Sequence, residues 1–228
     1  RALGHTASAQ DRKIDALHGL LTGGINYYCN DRLHALERPL FFYSIEQVPR
    51  TGEPAIVLQV QGVQSSIAES ILIHALKSLV TELGYNEYSI RINSLGDRDS
   101  VNRYIRELSN FFRRRINDLP SATRELMKDH VYTALAHLIE VEHELAHRSP
   151  NPMEYLSDLS RKHFREIIEY LDMSETPYEI DPLLIGHHEC YNDAIFAIDV
   201  PSADTNESSA LHIRGGRYDE FMNRYAGE

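Results

Sequence analysis

The chain of 228 residues is predicted to form an α+β fold built on an antiparallel sheet, and three observations support this prediction. Alternating apolar and polar residues, rich in β-branched and aromatic types, indicate strands before residue 93 and again after residue 178. Apolar residues at helical spacing dominate the segment between these two sets of strands. Strands on both sides of a helical block are typical of a domain in which helices pack on an antiparallel sheet.

The first 93 residues are predicted to hold three helices and three strands. Gly23 and Gly24 separate the first two helices, and Gly84 ends the third. A segment containing two prolines, 49–54, joins two strands as an antiparallel hairpin. In order, these elements are helices over 8–21 and 25–36, hairpin strands over 39–48 and 55–64, a helix over 66–83 and a strand over 87–93.

The rest of the chain is predicted to be a helical block followed by strands. The block covers 99–172 and is interrupted at Pro120 and at 150–152, because proline does not continue a helix. One helix within it is expected over 121–147. Strands follow over 178–184, 191–200 and 210–214, with a polar loop over 202–209.

These elements predict one interrupted domain. Residues 1–98 are expected to form the first part of a core, 99–150 a helical insertion, and 151–228 the second part of the same core.

The composition indicates an acidic globular domain. The chain has 23 Lys and Arg against 34 Asp and Glu, and its formal charge of −11 opposes nonspecific attraction to phosphate backbones. Cys29 and Cys190 are too few and too far apart for a disulfide framework, so a cytoplasmic location is expected. No apolar run approaches the roughly 20 residues that span a bilayer, and no secretory signal opens the chain, so no membrane partner is expected.

Two short strings are the most informative features of the sequence. Residues 92–97 read Ile-Asn-Ser-Leu-Gly-Asp, and residues 215–219 read Gly-Gly-Arg-Tyr-Asp. In this order they resemble motifs of the catalytic domain of histidyl-tRNA synthetase, a class II aminoacyl-tRNA synthetase. The hairpin over 39–64 and the segments 150–171 and 178–184 resemble further pieces of that family in the same order. The resemblance implies a divergent or truncated member with a class II synthetase-like antiparallel sheet, flanking helices and a helical insertion.

The resemblance also implies candidate site residues. Arg50 and Glu53 on the hairpin are the candidates for binding ATP, although their spacing is one residue longer than in the family. Gln64 stands where the family has a carboxylate that favours the amine of histidine. The candidates for the histidine pocket are Thr6, Gln64, Tyr191, Gly215, Gly216 and Tyr218. A second interpretation is that close packing or a turn with positive φ requires the two glycines, and that the ring of Tyr218 belongs to the core.

Departures from the family predict that its chemistry is weakened. When the sequences are aligned through Phe196, Gly186 stands where the family has an arginine that acts in adenylate formation, and a shift of one residue places Ile185 there. In neither register can a guanidinium stabilise charge on the α-phosphate. Gly4 replaces a pocket glutamate. The family's third signature, with its ATP-binding arginine, and its anticodon-binding domain belong after Glu228.

Three other strings suggest competing functions. Residues 143–147, His-Glu-Leu-Ala-His, match a zinc-protease signature, but His143 and His147 lie opposite the apolar stripe of the predicted helix and no third ligand follows at metzincin spacing. Residues 187–190, His-His-Glu-Cys, alternate along a strand, so at most two of them converge. We therefore predict no metal site. A basic helix side is predicted to be solvated, with RNA or an acidic partner as the alternative; it carries Arg103, Arg106, Arg113 and Arg114.

Two functional hypotheses follow from the resemblance. The first is a histidyl-tRNA synthetase-like pseudoenzyme with lost or reduced ligase chemistry, acting in ligand sensing or protein association as a homodimer or hetero-oligomer. The family offers a precedent in the synthetase-like regulatory subunit of ATP phosphoribosyltransferase. The second is a divergent or truncated ligase of protein biosynthesis that forms histidyl-adenylate from ATP, Mg²⁺ and histidine, and for which tRNA would be a partner.

Overall fold

The computed structural model describes residues 25, 28, 39–47, 54–186, 190–201 and 211–226. Ile25 and Tyr28 are helical and buried, and the rest of the two predicted N-terminal helices lies outside the described residues. The elements are β1 (Leu40–Gln47), β2 (Pro54–Gln61), α1 (Ile67–Glu82), β3 (Ser89–Gly96), α2 (Arg98–Arg114), α3 (Ser121–Asp129), α4 (Val131–Glu140), α5 (Glu144–His147), a 3-10 turn (Pro152–Tyr155), α6 (Asp158–Met173), β4 (Glu179–Ile180), β5 (Asn192–Val200), β6 (Leu211–Arg217) and α7 (Asp219–Ala226).

The chain forms two compact units. One contains Arg1–Ala68 and Asp219–Glu228, and the other contains Glu69–Tyr218. This division does not test the predicted boundaries of the core and the insertion, which stay a prediction. Among the described helices, none is long and apolar enough to cross a membrane.

The first unit carries the predicted hairpin. Strands β1 and β2 pair antiparallel over eight residues each, from Leu40 opposite Gln61 to Gln47 opposite Pro54. Their β-branched and aromatic residues favour extended backbone. The hairpin was expected to join the other strands in one sheet, but within the described residues β1 and β2 pair only with each other.

The second unit is built on a four-stranded sheet with the order β4-β3-β5-β6. Strand β5 lies antiparallel to both neighbours, with Phe196 opposite Ile92 on one side and opposite Gly215 on the other. This confirms the predicted antiparallel sheet. The predicted strand over 178–184 is shorter, since only Glu179–Ile180 pairs, in parallel with β3. It ends where the carboxylate of Asp181 accepts a hydrogen bond from the Leu183 amide and turns the chain.

The core of this unit lies on one face of the sheet. Successive side chains of a strand point to opposite faces, so every second residue points towards this core. These residues pack against the apolar stripes of α1 and α6. The buried cluster contains Ile73, Val80, Ile90, Ile92, Phe164, Ile167, Leu171, Ala194, Phe196, Ile198 and Val200.

The turn over 94–97 joins the sheet to two helices. Gly96 adopts a left-handed φ of 75°, which glycine tolerates without steric cost. Asp97 caps α2 by accepting a hydrogen bond from the Ser100 amide (2.9 Å) and also accepts one from the hydroxyl of Ser157 (2.7 Å), which itself caps α6. Burial alone would raise the pKa of Asp97, but these hydrogen bonds lower it below its usual value. The motif therefore has an architectural role.

The single helix expected over 121–147 was a wrong prediction, because the chain forms three helices there. His130 has extended backbone, and its ring nitrogen accepts a hydrogen bond from the Tyr132 amide, which starts a new helix. Glu142 adopts a left-handed φ of 51° and ends the second helix. Neither break contains glycine or proline, so the usual signals were absent.

Candidate functional site

The face of the sheet opposite the core carries the residues with functional potential. The positions that alternate with the core residues are occupied by Asn93 on β3, Ile195 and Asp199 on β5, and Arg214 and Gly216 on β6. Asn93 is fully buried, and its amide donates hydrogen bonds to the carbonyls of Pro182 (3.3 Å) and Leu184 (3.0 Å). These bonds hold the segment after β4 beside the sheet.

One end of this face is built around the ring of Tyr191. A Cβ atom added to Gly186 would lie 2.8 Å from Cδ2 of this ring, and one added to Gly216 would lie 2.9 Å from Cδ1. The ring therefore lies between the two glycines. Burial raises the pKa of the Tyr191 hydroxyl above its usual value, so the hydroxyl stays neutral at physiological pH.

Close packing explains the two adjacent glycines of β6. A Cβ atom on Gly215 would overlap the ring of Phe196, and one on Gly216 would lie 2.8 Å from the carbonyl oxygen of Ala194. Neither glycine has a positive φ, so the predicted alternative of a left-handed turn is wrong here. Gly215 lies on the core face and Gly216 on the opposite face, so only Gly216 contacts Tyr191.

The other end of the face is a network of charged side chains around Asp199. Arg91 donates to Asp199 (2.8 Å) and to Asp181 (2.7 Å), while Arg214 donates to Asp199 (2.8 Å) and His212 lies 2.7 Å from the same carboxylate. Burial alone would raise the pKa of Asp199, but these hydrogen bonds lower it to about 2. The two guanidinium groups are therefore already paired with carboxylates of the sheet.

A buried cluster on the core side was not predicted from the sequence. The carboxylate of Glu69 accepts two hydrogen bonds from Arg217 and lies 2.8 Å from Nε2 of His163. Glu69 and Arg217 are almost completely buried. Burial alone would raise the pKa of Glu69, but His163 and Arg217 lower it. Glu69 lies four residues before the buried Ile73, on the apolar stripe of α1. A carboxylate at such a position was the sequence signal that could have revealed this buried cluster.

Comparison with known proteins identifies the family to which this chain is related. No family model matches the chain. The histidine–tRNA ligase of Bacillus velezensis is 27% identical over 190 residues, which cover 83% of this chain and 45% of the relative. The chain is a divergent relative of the histidyl-tRNA synthetases. It spans less than half the length of this relative.

Solved structures show the same fold. The apo histidyl-tRNA synthetase of S. aureus superposes with a TM-score of 0.69 at 17% identity, over 90% of this chain and 50% of that one. A protein of Bacillus halodurans described as an ATP phosphoribosyltransferase regulatory subunit/histidyl-tRNA synthetase gives a TM-score of 0.56 at 14% identity, over 90% and 58% of the two chains. The predicted class II synthetase-like fold is confirmed.

Packing occupies the two positions at which the resemblance would place the family's arginine. Gly186 is exposed, but a Cβ atom added to it would lie against the ring of Tyr191. A larger residue therefore fits at this position only if the ring moves. In the register shifted by one residue, Ile185 is buried and apolar. Neither position offers a cation to the face of the sheet.

The residues predicted for the histidyl-tRNA synthetase pocket are only partly brought together. Tyr191 and Gly216 are in contact, and Tyr218 is half-buried immediately after β6. Gln64 is exposed and belongs to the first unit. The remaining candidates lie outside the described residues, so their roles stay predictions; they are Thr6, Arg50 and Glu53.

The zinc-protease signature does not adopt the geometry that its chemistry needs. His143 precedes the four-residue helix α5, and its Nδ1 accepts a hydrogen bond from the Leu145 amide at 3.2 Å. It therefore lies outside the helix that carries His147, whereas the signature requires both histidines on one helical face. Over the described part of the chain, no three His, Cys, Asp or Glu side chains converge as metal ligands.

The His-His-Glu-Cys string lies mostly outside the described residues. Residues 187–189 are not described, and Cys190 is buried.

The basic side of α2 is exposed, as predicted. Its apolar side buries Tyr104, Leu108 and Phe112. The four predicted arginines are all on the solvent side; they are Arg103, Arg106, Arg113 and Arg114.

Proposed function

We propose that this histidyl-tRNA synthetase-like chain has lost most or all of the ligase chemistry and acts in ligand sensing or protein association. The observation that carries the proposal is the contact between Gly186 and the ring of Tyr191 at the position of the family's arginine. Adenylate formation develops charge on the α-phosphate, and fixed positive groups must stabilise that charge in the transition state. The loss of one such group typically costs several kcal/mol of barrier.

The remaining cations of the sheet do not replace this arginine. Arg91 and Arg214 are paired with Asp181 and Asp199, and a phosphate would have to compete with these carboxylates. Arg217 is buried on the core side with Glu69. A nucleotide bound against this face therefore lacks a free guanidinium from these strands.

Similarity of fold to a protein described as a regulatory subunit supports the sensing or association role. The Bacillus halodurans relative of this fold is described as a regulatory subunit as well as a synthetase. We expect this chain to work in the cytoplasm as a homodimer or hetero-oligomer. Residual binding of histidine through Tyr191 and Tyr218, or of ATP through Arg50, belongs to the same proposal.

Histidine-dependent exchange of pyrophosphate into ATP tests the proposal. We expect no exchange above background, with an active histidine–tRNA ligase as the positive control. Calorimetry with histidine and with ATP then separates a sensor, which binds a ligand without exchange, from an association protein, which binds neither. Exchange at the rate of the control ligase would refute the proposed loss of chemistry.

A second candidate is a divergent ligase, because this chain is 24% to 28% identical to histidine–tRNA ligases. It would use ATP and Mg²⁺ to activate histidine and would take part in protein biosynthesis with tRNA. Exchange that is present in the wild type and abolished by Arg50→Ala would favour this candidate. An unchanged rate in Arg50→Ala would contradict a role for Arg50 in the exchange.

A further inference from the structure

One side of α2 concentrates positive charge in an acidic chain. Residues 98–115 contain six arginines and no lysine against two carboxylates, a net charge of +4, whereas the whole chain has a formal charge of −11. The side chains buried by this helix include Tyr104, Leu108 and Phe112. Four exposed arginines lie outside that buried stripe and form what we call the arginine face; they are Arg103, Arg106, Arg113 and Arg114.

Exposed cations elsewhere in this unit are paired with nearby carboxylates. Three such pairs join side chains three or four positions apart; they are Lys128 with Glu125, Arg148 with Glu144, and Lys162 with Glu166. The same spacing is available on α2, since Glu107 follows Arg103 by four residues. Arg103 instead donates to the hydroxyl of Ser100 (3.5 Å) and forms no ion pair with a described carboxylate. The positive charge of α2 is therefore not neutralised along the helix.

The other three arginines of the face have no partner in the part of the chain that the structure describes. Arg106, Arg113 and Arg114 form neither an ion pair nor a hydrogen bond there. The helix dipole favours cations in the last turn, which accounts for Arg113 and Arg114. It does not account for Arg103 and Arg106, which are three residues apart within the helix and repel each other. The dipole alone does not explain the arginine face.

We propose that an acidic helical segment of a partner protein binds the arginine face. Arg106 and Arg113 are two helical turns apart, about 10 Å, and Arg103 and Arg114 are three turns apart, about 16 Å. A helix lying along α2 with carboxylates three, four and seven residues apart would present one carboxylate to each turn of this face. Guanidinium groups bind carboxylates through two parallel hydrogen bonds, a geometry that lysine does not offer.

The charge distribution favours a short protein segment over a nucleic acid. The arginine face is only about 16 Å long, and a phosphate backbone that extends beyond it meets a chain of net charge −11. Exposed carboxylates also border the face; they are Asp99, Glu107, Asp118 and Glu125. A segment with a few discrete carboxylates can end where the arginines end. This inference deepens the proposed association role and rests on it, but it does not depend on the loss of ligase chemistry.

Fluorescence anisotropy with the full chain and a labelled synthetic peptide tests the inference. The peptide contains three repeats of Glu-Ala-Ala-Glu-Ala-Ala-Ala, which place all glutamates on one side of a helix. At about 150 mM salt, where exposed charges are screened beyond roughly 8 Å, we expect saturable binding in the micromolar range. The same peptide with glutamine in place of glutamate should not bind. A peptide of equal charge with its glutamates distributed around the helix should bind more weakly.

Variants of the face separate a specific contact from a general effect of charge. The double variant Arg106→Glu with Arg113→Glu should weaken binding of the acidic peptide at least tenfold. The matched control, Lys162→Glu with Arg165→Glu on α6, changes the net charge equally at exposed positions and should leave the affinity unchanged. Arg106→Lys with Arg113→Lys keeps the charge but loses the bidentate geometry, so its loss of affinity should be smaller. Circular dichroism checks that each variant is folded.

Three results would overturn the inference. They are the absence of saturable binding of the acidic peptide, an equal loss of affinity in the face variant and the control variant, and tighter binding of an RNA hairpin than of the peptide at the same salt concentration. Pyrophosphate exchange on the same samples keeps the two proposals apart. Peptide binding together with exchange refutes only the loss of chemistry, whereas the absence of both refutes only the arginine face.

Discussion

The guanidinium of Arg217 holds the carboxylate of Glu69 through two hydrogen bonds, 2.7 Å from Nε and 3.0 Å from Nη2. The pair joins the last residue of β6 to the first turn of α1, and His163 of α6 completes it. Both side chains are buried, so removing one partner leaves an uncompensated charge away from water. This pair ties the Gly-Gly-Arg-Tyr-Asp segment to the helices rather than to the open face.

Substitution of Glu69→Gln should destabilise the fold strongly. The variant leaves the buried guanidinium of Arg217 without its counter-charge, and we expect a loss of about 3–5 kcal/mol in the free energy of unfolding. Urea denaturation measures this loss. Glu125→Gln, which removes an exposed pair with Lys128, is the matched control and should cost about 0–1 kcal/mol. Equal losses in the two variants would contradict a structural role for the buried pair.

The network around Asp199 should make stability depend on acid pH. The folded-state pKa of Asp199 is about 2, below the usual aspartate value of 3.8. Its contribution to the free energy of unfolding is therefore present above pH 3.8 and is lost as the pH falls towards 2. Asp199→Asn should flatten this part of the profile of urea midpoint against pH. Asp118→Asn, at an exposed position, should leave it unchanged. A profile as steep in Asp199→Asn as in the wild type would reject this assignment.

Substitution of Gly216→Ala should destabilise the fold, because the site has no room for a methyl group. The added Cβ of Gly216→Ala would lie 2.8 Å from a backbone carbonyl, and we expect a loss of about 1–3 kcal/mol together with a change in the environment of Tyr191. Gly84 is the control, since its Cβ would meet nothing within 4 Å but its φ is +91°. Gly84→Asn should be milder than Gly84→Ala, because asparagine tolerates left-handed backbone. Gly216→Asn should instead be worse than Gly216→Ala, and the opposite order would contradict the packing argument.

His143 should act as a helix cap and not as a zinc ligand. Its ring nitrogen accepts the Leu145 amide, so His143→Ala should cost about 1 kcal/mol and His143→Asn should recover most of that loss. Thermal unfolding compares the three proteins. Elemental analysis should find no stoichiometric zinc. One zinc per chain that disappears in His143→Ala would restore the protease-like interpretation.

The sheet and its helices were predictable because their periodicity is local. Strand β3 alternates Ile90 and Ile92 with polar residues, and Asp97 stands at a recognisable helix start. The breaks at His130 and Glu142 were missed because a histidine cap and a left-handed glutamate have no strong composition signal. The ring of His130 accepts a hydrogen bond from the Tyr132 amide, and hydrophobic periodicity does not reveal such a cap.

The candidate site was harder to predict than the fold. The resemblance named Tyr191, Gly215 and Gly216 together as candidates for a histidine pocket. The structure places Gly216 against the ring of Tyr191, whereas the pleat places Gly215 on the core face. Glu69 lies 148 positions from Arg217 in sequence. The carboxylate on the apolar stripe of α1 could have indicated a buried charge, but its partner depends on the three-dimensional arrangement of three elements, and no local pattern identifies Arg217 as that partner.

The shared cap at Asp97 has a consequence for how this fold can vary. The chain leaves the sheet at Asp97 and returns at Ser157, and the two side chains are joined by a hydrogen bond of 2.7 Å across 60 positions. The Ser157 amide also donates to Ser100, and the Asp97 amide donates to Ser160. The helices between them are thus fastened at a common base. We therefore expect that these helices can be shortened by design without any strand of the sheet having to move.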